Sequence, residues 1–127
     1  MPQNQSPLHN RLVENLIYEL GQRRNHRILA ASHQSYDEPS KCGRHEPDVI
    51  SVDATGLHCI AEAKIGEDLY TEHTHEQFVD FSNRVMKADS RPVPFVVLVP
   101  KPYENKLREV LNSLGLLNKP NVFIWTS

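Results

Sequence analysis

Hydrophobic positions along the chain recur with two different periods, and the periods predict helices alternating with strands. Three segments place apolar side chains every three to four residues, the spacing of one buried helix face: residues 7–20, 75–88 and 102–114. Five shorter runs are apolar or alternate between apolar and polar side chains, which is typical of strands: residues 26–34, 46–53, 57–64, 93–100 and 121–127. The predicted order of elements is therefore αβββαβαβ.

Capping residues support the predicted helix boundaries. Ser6 can cap the first helix with Pro7 in its first turn, and Gly21 is predicted to end it. Pro102 can begin the last helix, and Gly115 can end it.

The order of elements predicts an α/β fold with a mixed sheet flanked by helices. The second and third strands join as a hairpin, whereas the later strands are separated by helices that act as crossovers. Residues 93–100, "VPFVVLVP", form a nearly unbroken apolar run, as expected of a central strand covered on both faces. A chain of 127 residues suits one domain, which we place at residues 1–127.

The stretch "EPDVISVDATGLHCIAEAK" of the hairpin carries charges in otherwise apolar runs. Two turn geometries are open. A two-residue turn would set Asp48 opposite Ala63, which puts Asp48 and Glu62 on opposite faces of the sheet. A three-residue loop of residues 54–56, with Gly56 in the left-handed position, would set Asp48 directly across from Glu62.

The three-residue loop would create a cluster suited to phosphodiester chemistry. Two carboxylates with Cβ atoms about 5 Å apart repel each other unless a positive charge lies between them. Mg²⁺ typically takes one or two carboxylates plus waters and phosphate oxygens. Lys64 follows Glu62 on the same strand face, where its ammonium can orient a water or steady charge on a phosphoryl group.

These residues also resemble a known family. The "PD" that ends at Asp48, thirteen intervening residues and the "EAK" of residues 62–64 resemble the motif of the PD-(D/E)xK nuclease superfamily. The order of elements is similar to the common core of that superfamily, and the resemblance covers residues 7–100. It implies a restriction-endonuclease-like fold.

The resemblance further implies a role for each motif residue. Asp48 and Glu62 would bind Mg²⁺ or Mn²⁺, with the backbone carbonyl of Ala63 as a further ligand. Lys64 would be catalytic.

Two residues outside the motif also match the family pattern. Many members carry a glutamate on the first helix, and Glu14 lies at the edge of that helix's apolar stripe, where it competes with Glu19. Some members carry a glutamine on the helix after the motif, and Gln77 is placed similarly, although the tyrosine that follows it in one subgroup is missing.

Charge gives a mixed indication about nucleic acid. The formal net charge of −2 gives no overall basic signature. Five cations could nevertheless form a local positive rim for a phosphate backbone: Arg23, Arg24, Arg27, Lys41 and Arg44.

The seven histidines and two cysteines raise the question of zinc. The sequence contains no CxxC pair, and the thiols do not have the spacing of a zinc ribbon or finger. We therefore interpret the histidines as ordinary surface residues and the cysteines as reduced thiols.

The sequence thus predicts a Mg²⁺-dependent phosphodiester hydrolase acting on DNA, of endonuclease or junction-resolvase type. No apolar run approaches the roughly 20 residues of a membrane span, and the first residues lack a signal-peptide core, so we expect a cytoplasmic protein. A chain this small would need a homodimer to cut both strands. The alternatives are a catalytically inactive nuclease-like fold that binds nucleic acid or protein, and a protein-binding regulator carried on a mobile element.

Overall fold

A computed structural model describes residues 6–42 and 44–127 and shows a mixed sheet flanked by helices. The helices are α1 Pro7–Tyr18, α2 Glu72–Ser82 and α3 Glu104–Ser113. The strands are β1 Arg27–Ala31, β2 Val49–Val52, β3 His58–Ala63, β4 Phe95–Val99 and β5 Val122–Thr126. The predicted order αβββαβαβ and the α/β class are confirmed.

The five strands lie in the order β1-β2-β3-β4-β5. The pairs β1–β2 and β2–β3 are antiparallel, whereas β3–β4 and β4–β5 are parallel. The parallel pairs follow from the helical connections, because a helix returns the chain to the starting end of the sheet. The carboxyl ends of β3, β4 and β5 therefore share one end of the sheet.

Helix α1 begins as predicted but continues further. The Ser6 hydroxyl accepts the backbone N–H of His9 at 3.1 Å and so caps the first turn. The prediction that Gly21 ends the helix is wrong, because a π-helical turn, Glu19–Arg23, carries the chain past it. The chain turns from the helix toward β1 at Asn25. The φ of Asn25 is 59°, a conformation that asparagine tolerates better than most residues.

Helix α2, Glu72–Ser82, lies earlier in the chain than the predicted 75–88. The hydroxyl of Thr71 caps its first turn, a signal that competes with the apolar stripe in setting the boundary. After the helix the chain forms a small hairpin-like turn, in which Val85 and Pro92 make an isolated bridge. The predicted end of the last helix is confirmed, because Gly115 has φ +75° directly after its C-cap.

Each sheet face has its own apolar core. Val49, Ala61 and Ala63 pack with the buried face of α1, and Ile60 and Phe95 pack with α2 and α3 on the other face. All five residues of β4 are buried, which confirms a central strand covered on both faces.

The turn between β2 and β3 is the three-residue loop of residues 54–56. The register pairs Ile50 with Ile60, and the N–H of Asp53 donates to the carbonyl of Leu57 at 2.9 Å. Gly56 has φ +91°, the left-handed conformation that closes this kind of loop. Of the described residues, none belongs to a helix long and apolar enough to cross a membrane.

Candidate active site

The hairpin register places Asp48 and Glu62 side by side at the open end of β2 and β3. One oxygen of Glu62, Oε1, accepts the backbone N–H of Asp48 at 2.7 Å. In return, Oδ2 of Asp48 accepts the backbone N–H of Ala63 at 2.9 Å. Each carboxylate is thus fixed by the backbone of the opposite strand, so the pair depends on the register.

This pair is buried in spite of its charge. Glu62 is 2% exposed and Asp48 is 8% exposed. Burial, and then the nearby charge of Asp48, raise the pKa of Glu62 well above its usual value, while the charge of Lys64 acts in the opposite direction. Burial beside Asp48 therefore opposes the charged form of Glu62, which raises its pKa.

Lys64 is held between this pair and helix α2. Its Nζ lies 3.6 Å from Oε2 of Glu62 and donates to Oε1 of Gln77 at 2.5 Å. The Gln77 side chain is buried on α2, so it cannot move freely away from the ammonium. The structure therefore brings four of the residues singled out in the sequence, Asp48, Glu62, Lys64 and Gln77, into one cluster.

Helix α1 contributes His9 to this cluster rather than Glu14. Nε2 of His9 lies 3.2 Å from Oδ2 of Asp48. Glu14 has a side chain that is 60% exposed and contacts His33 at 3.2 Å, and it does not line the cleft. One sequence signal could have indicated His9: it shares the buried face of α1 with Leu12, an unusual position for a surface histidine.

His45 is a second buried histidine near the site. Its Nε2 lies 3.4 Å from an oxygen of Asp80 and 3.8 Å from one of Glu76, both on α2. Its ring meets that of His73 at a centroid distance of 5.0 Å. Burial, followed by the nearby Lys64 ammonium, lowers the pKa of His73.

The interpretation of the histidines as surface residues is therefore wrong for His9 and His45, which are both buried. The position of His45 follows from its packing against α2, about thirty residues later in the chain, and no local spacing indicates it. Both cysteines are free thiols, and burial raises the pKa of Cys59 to about 11.

An open cleft of about 390 Å³ is lined by the Asp48–Glu62 pair, Lys64 and Gln77, together with His9, His45 and His73. Lys41 and Arg44 lie on its rim, and Arg44 approaches Glu76 at 3.6 Å and Asp80 at 3.8 Å. Contacts at these distances on an exposed side chain are weak, so a phosphate could displace them. Two of the five predicted phosphate-binding cations thus reach the cleft.

The other three predicted cations lie elsewhere. Arg23 and Arg24 both approach Glu19, at 3.7 Å and 3.6 Å, and neither lines the cleft. Arg27 pairs with Val52 at the turn end of β2, which is four residues, or about 13 Å, from the cleft end. These arginines form no common rim with Lys41 and Arg44.

The donor set suits a hard divalent cation of low protein coordination. Within residues 6–42 and 44–127, no three His, Cys, Asp or Glu side chains are placed to share one metal ion. The site offers two such side chains, Asp48 and Glu62, in addition to the backbone carbonyl of Ala63. Mg²⁺ commonly binds one or two carboxylates and keeps its other positions for water and phosphate. From the described part of the chain, no hydrogen bond reaches Oδ1 of Asp48, so this oxygen is free for a cation.

Comparisons with known proteins do not assign the chain to a family. No protein-family model matches it, and neither a curated protein nor a solved structure is significantly similar to it. Function must therefore be inferred from the geometry of the cleft.

Proposed function

We propose that the protein is a Mg²⁺- or Mn²⁺-dependent phosphodiester hydrolase that acts on DNA, with a restriction-endonuclease-like fold and the site of a PD-(D/E)xK nuclease. The observation that carries this proposal is the buried Asp48–Glu62 pair with the Lys64 ammonium 3.6 Å from Glu62. Buried like charges with a raised pKa in a cleft are characteristic of functional sites. A solvated sheet edge would not bury these groups.

In this proposal Asp48, Glu62 and the carbonyl of Ala63 hold the cation. The free Oδ1 of Asp48 faces no competing donor among the described residues. His9 and the N–H of Ala63 both engage the other oxygen, Oδ2, which fixes the orientation of the carboxylate. When bound, a divalent cation polarises the phosphoryl group and lowers the pKa of water.

Lys64 orients the attacking water and stabilises the negative charge that builds on the phosphoryl oxygens. Glu62 and Gln77 hold its ammonium from two sides, so the charge is in place before the reaction begins, which is the condition for effective electrostatic stabilisation. Gln77 contacts no reacting atom in this arrangement and is a positioning residue.

Binding of DNA depends on the cations at the rim. Lys41 and Arg44 line the same cleft as Lys64 and can neutralise phosphates next to the scissile one, which makes the affinity decrease with salt. The formal net charge of −2 limits this attraction to the cleft. We further propose that the protein is cytoplasmic. We also propose a homodimer, because cleavage of two strands needs two copies of the Asp48–Glu62–Lys64 site.

The deciding experiment is a cleavage screen over linear, branched and single-stranded DNA with Mg²⁺, Mn²⁺ or EDTA. We expect divalent-dependent cleavage in the wild type and its loss in Lys64→Ala. Lys87→Ala is the matched control, because Lys87 is an exposed lysine outside the cleft. Equal cleavage by Lys64→Ala and Lys87→Ala would overturn the proposal.

Thermal melting supplies an independent test of the cation. Mn²⁺ or Mg²⁺ should raise the melting temperature of the wild type, because binding to the folded state alone stabilises it. The absence of any shift, together with metal-independent DNA binding, would support an inactive binding module instead.

A further inference from the structure

A second concave surface lies between the end of helix α1 and strand β5. It encloses about 360 Å³, near the lower limit for small-molecule pockets. We call it the aromatic pocket and define it by five of its residues: Asn15, Tyr18, Glu19, Arg24 and Trp125. None of them takes part in the candidate active site.

The aromatic pocket lies at the same end of the sheet as the Asp48–Glu62 pair. Trp125 is paired with Leu98, and Leu98 is paired with Ala63, whose N–H binds Asp48. Two strand spacings separate Trp125 from Ala63, which is about 10 Å. Along the axis of α1, Tyr18 lies nine residues beyond His9, a rise of about 14 Å.

These distances correspond to a few nucleotides of DNA. One strand of a duplex rises about 3.4 Å per base, so these separations correspond to at least about three or four bases. The strand passes round the end of the sheet, because Glu62, between Ala61 and Ala63, projects from the face opposite to Trp125.

The chemistry of the pocket suits the flat face of a base. The guanidinium of Arg24 lies 4.5 Å from the centre of the Trp125 ring. Tyr18 is 59% exposed, and Phe123, two residues before Trp125 and on the same strand face, is 42% exposed. Aromatic rings on which successive bases stack, with arginines nearby for phosphates, are the usual means of binding single strands.

The polar groups of the pocket suit the edge of a base. The amide of Asn15 and the carboxylate of Glu19 lie beside the rings, and such groups bind the donors and acceptors of base edges. The guanidinium of Arg24 contacts the Glu19 carboxylate at 3.6 Å on the surface, a weak interaction, so it can leave the indole and bind a phosphate while the backbone N–H of Arg24 stays bonded to the Glu19 carbonyl.

We propose that the aromatic pocket binds an unpaired base of a single-stranded DNA segment that continues from the active site. A base within a duplex is stacked on both sides and cannot present its face. The substrate class is therefore DNA with a single-stranded flank, such as an overhang or a branch, rather than fully paired duplex. This inference rests on the proposed function, whose site it extends.

The protein carries its own reporter for this test, because Trp125 is the single tryptophan of the sequence. We would titrate the wild type in EDTA with oligothymidylate and follow tryptophan fluorescence. Stacking of thymine on the indole should quench the emission saturably. The blunt duplex of oligothymidylate with oligodeoxyadenylate should quench at least about tenfold less effectively, because its bases are not free to stack.

A matched pair of variants separates stacking from general surface effects. Tyr18→Ala should weaken binding of oligothymidylate by about tenfold, since one stacked base is lost. Tyr36→Ala should bind like the wild type, because Tyr36 is also exposed but packs against His33, outside the pocket.

Three results would overturn the inference: no quenching by oligothymidylate, equal quenching by the duplex, or equal affinity of the Tyr18→Ala and Tyr36→Ala variants. Because EDTA prevents turnover, the titration reports binding alone. Absence of base binding by the aromatic pocket is therefore distinguishable from absence of hydrolase activity, because only the cleavage screen measures activity.

Discussion

The β2–β3 hairpin carries acidic side chains at both ends, and their surroundings shift the pKa values in opposite directions. At the turn, the carboxylate of Asp53 accepts the N–H and the hydroxyl of Thr55 at 2.8 Å and 2.7 Å, and the N–H of Leu57 at 3.1 Å. These hydrogen bonds, led by the Thr55 hydroxyl, lower the pKa of Asp53. At the open end, burial and the charge of Asp48 raise the pKa of Glu62.

This difference is the one expected between an acid that supports a turn and an acid that serves a functional site. The three hydrogen bonds to the Asp53 carboxylate stabilise its charged form and come from residues within four positions in the chain, so this carboxylate serves the turn. The Asp48–Glu62 pair keeps two carboxylates together where burial opposes their charge. A fold that retains such a pair loses stability at that point, which is expected where a site needs the charge for a ligand.

The largest expected difference is in cleavage rate, between a variant that removes the charge of Asp48 and one that removes the charge of Asp53. Asp48→Asn should reduce divalent-dependent cleavage by about a hundredfold or more, because the cation loses a ligand, whereas Asp53→Asn should leave the rate within about twofold. Initial rates under saturating Mg²⁺, and Mn²⁺ binding by calorimetry, measure both. Similar losses in the two variants would mean that the open end has no special role.

The next effect is on stability, through Glu62→Gln. Because the pKa of Glu62 is raised in the folded state, the folded chain retains a proton that the unfolded chain releases above about pH 4.5. The wild type therefore loses stability as pH rises from that value through the raised pKa. Glutamine cannot lose this proton, so the variant should melt several degrees higher than the wild type near neutral pH in EDTA.

The sign of that effect can be checked in two ways. The difference in melting temperature should close below pH 4.5, where Glu62 is protonated in both states, and it should shrink when Mg²⁺ is added to the wild type. Glu46→Gln is the matched control, since Glu46 is an exposed carboxylate beside the cleft. If Glu62→Gln were less stable than the wild type at neutral pH, the charge of Glu62 would already be stabilised by its neighbours.

A smaller effect is expected at the turn itself. Gly56 has φ +91° and no atom within 4 Å of an added Cβ, so Gly56→Ala introduces backbone strain alone, about 1–2 kcal/mol. The melting temperature should fall by several degrees. Gly21→Ala, in a helical turn with ordinary φ and room for a methyl group at 3.8 Å, should be neutral or stabilising. If Gly21→Ala lowered the melting temperature more than Gly56→Ala, the backbone strain would not lie at Gly56.

The smallest effect is predicted for Glu14→Gln. Glu14 is exposed and contacts only the His33 ring among described residues, and exposed ion pairs contribute about 0–1 kcal/mol. Cleavage should remain within about twofold of the wild type. A hundredfold loss of cleavage would instead place Glu14 among the groups that serve the cation.

The order of elements was predictable because its signals are local, and the hairpin register was narrowed to two alternatives. The order of helices and strands follows from apolar periodicity. The sequence left two turns open, because Gly56 suits either one, and the pairing of Ile50 with Ile60 in the folded chain selects the three-residue loop. Once that register is set, Asp48 faces Glu62 whatever the rest of the chain does. The boundaries of α2 were less predictable, because the Thr71 cap competes with the apolar stripe.

Contacts between distant elements were not predictable in the same way. His9 and Asp48 are 39 positions apart, and which residue of α1 reaches Asp48 depends on the rotation of the helix and its crossing angle over the sheet. The stripe that buries α1 is compatible with more than one such arrangement. The same reason explains why Arg24 lies on Trp125, in the aromatic pocket, rather than at the active-site rim.

The sequence by itself determined the α/β order and reduced the hairpin to two turn geometries, because backbone conformation and strand alternation act over a few residues. The folded register then selected the three-residue loop and with it the pairing of Asp48 with Glu62. Tertiary structure alone decided that His9 supports Asp48 and that His45 is buried against α2. It also decided that only Lys41 and Arg44 of the five predicted cations reach the cleft. Those outcomes depend on how helices pack across the sheet, where many side chains far apart in the chain act together.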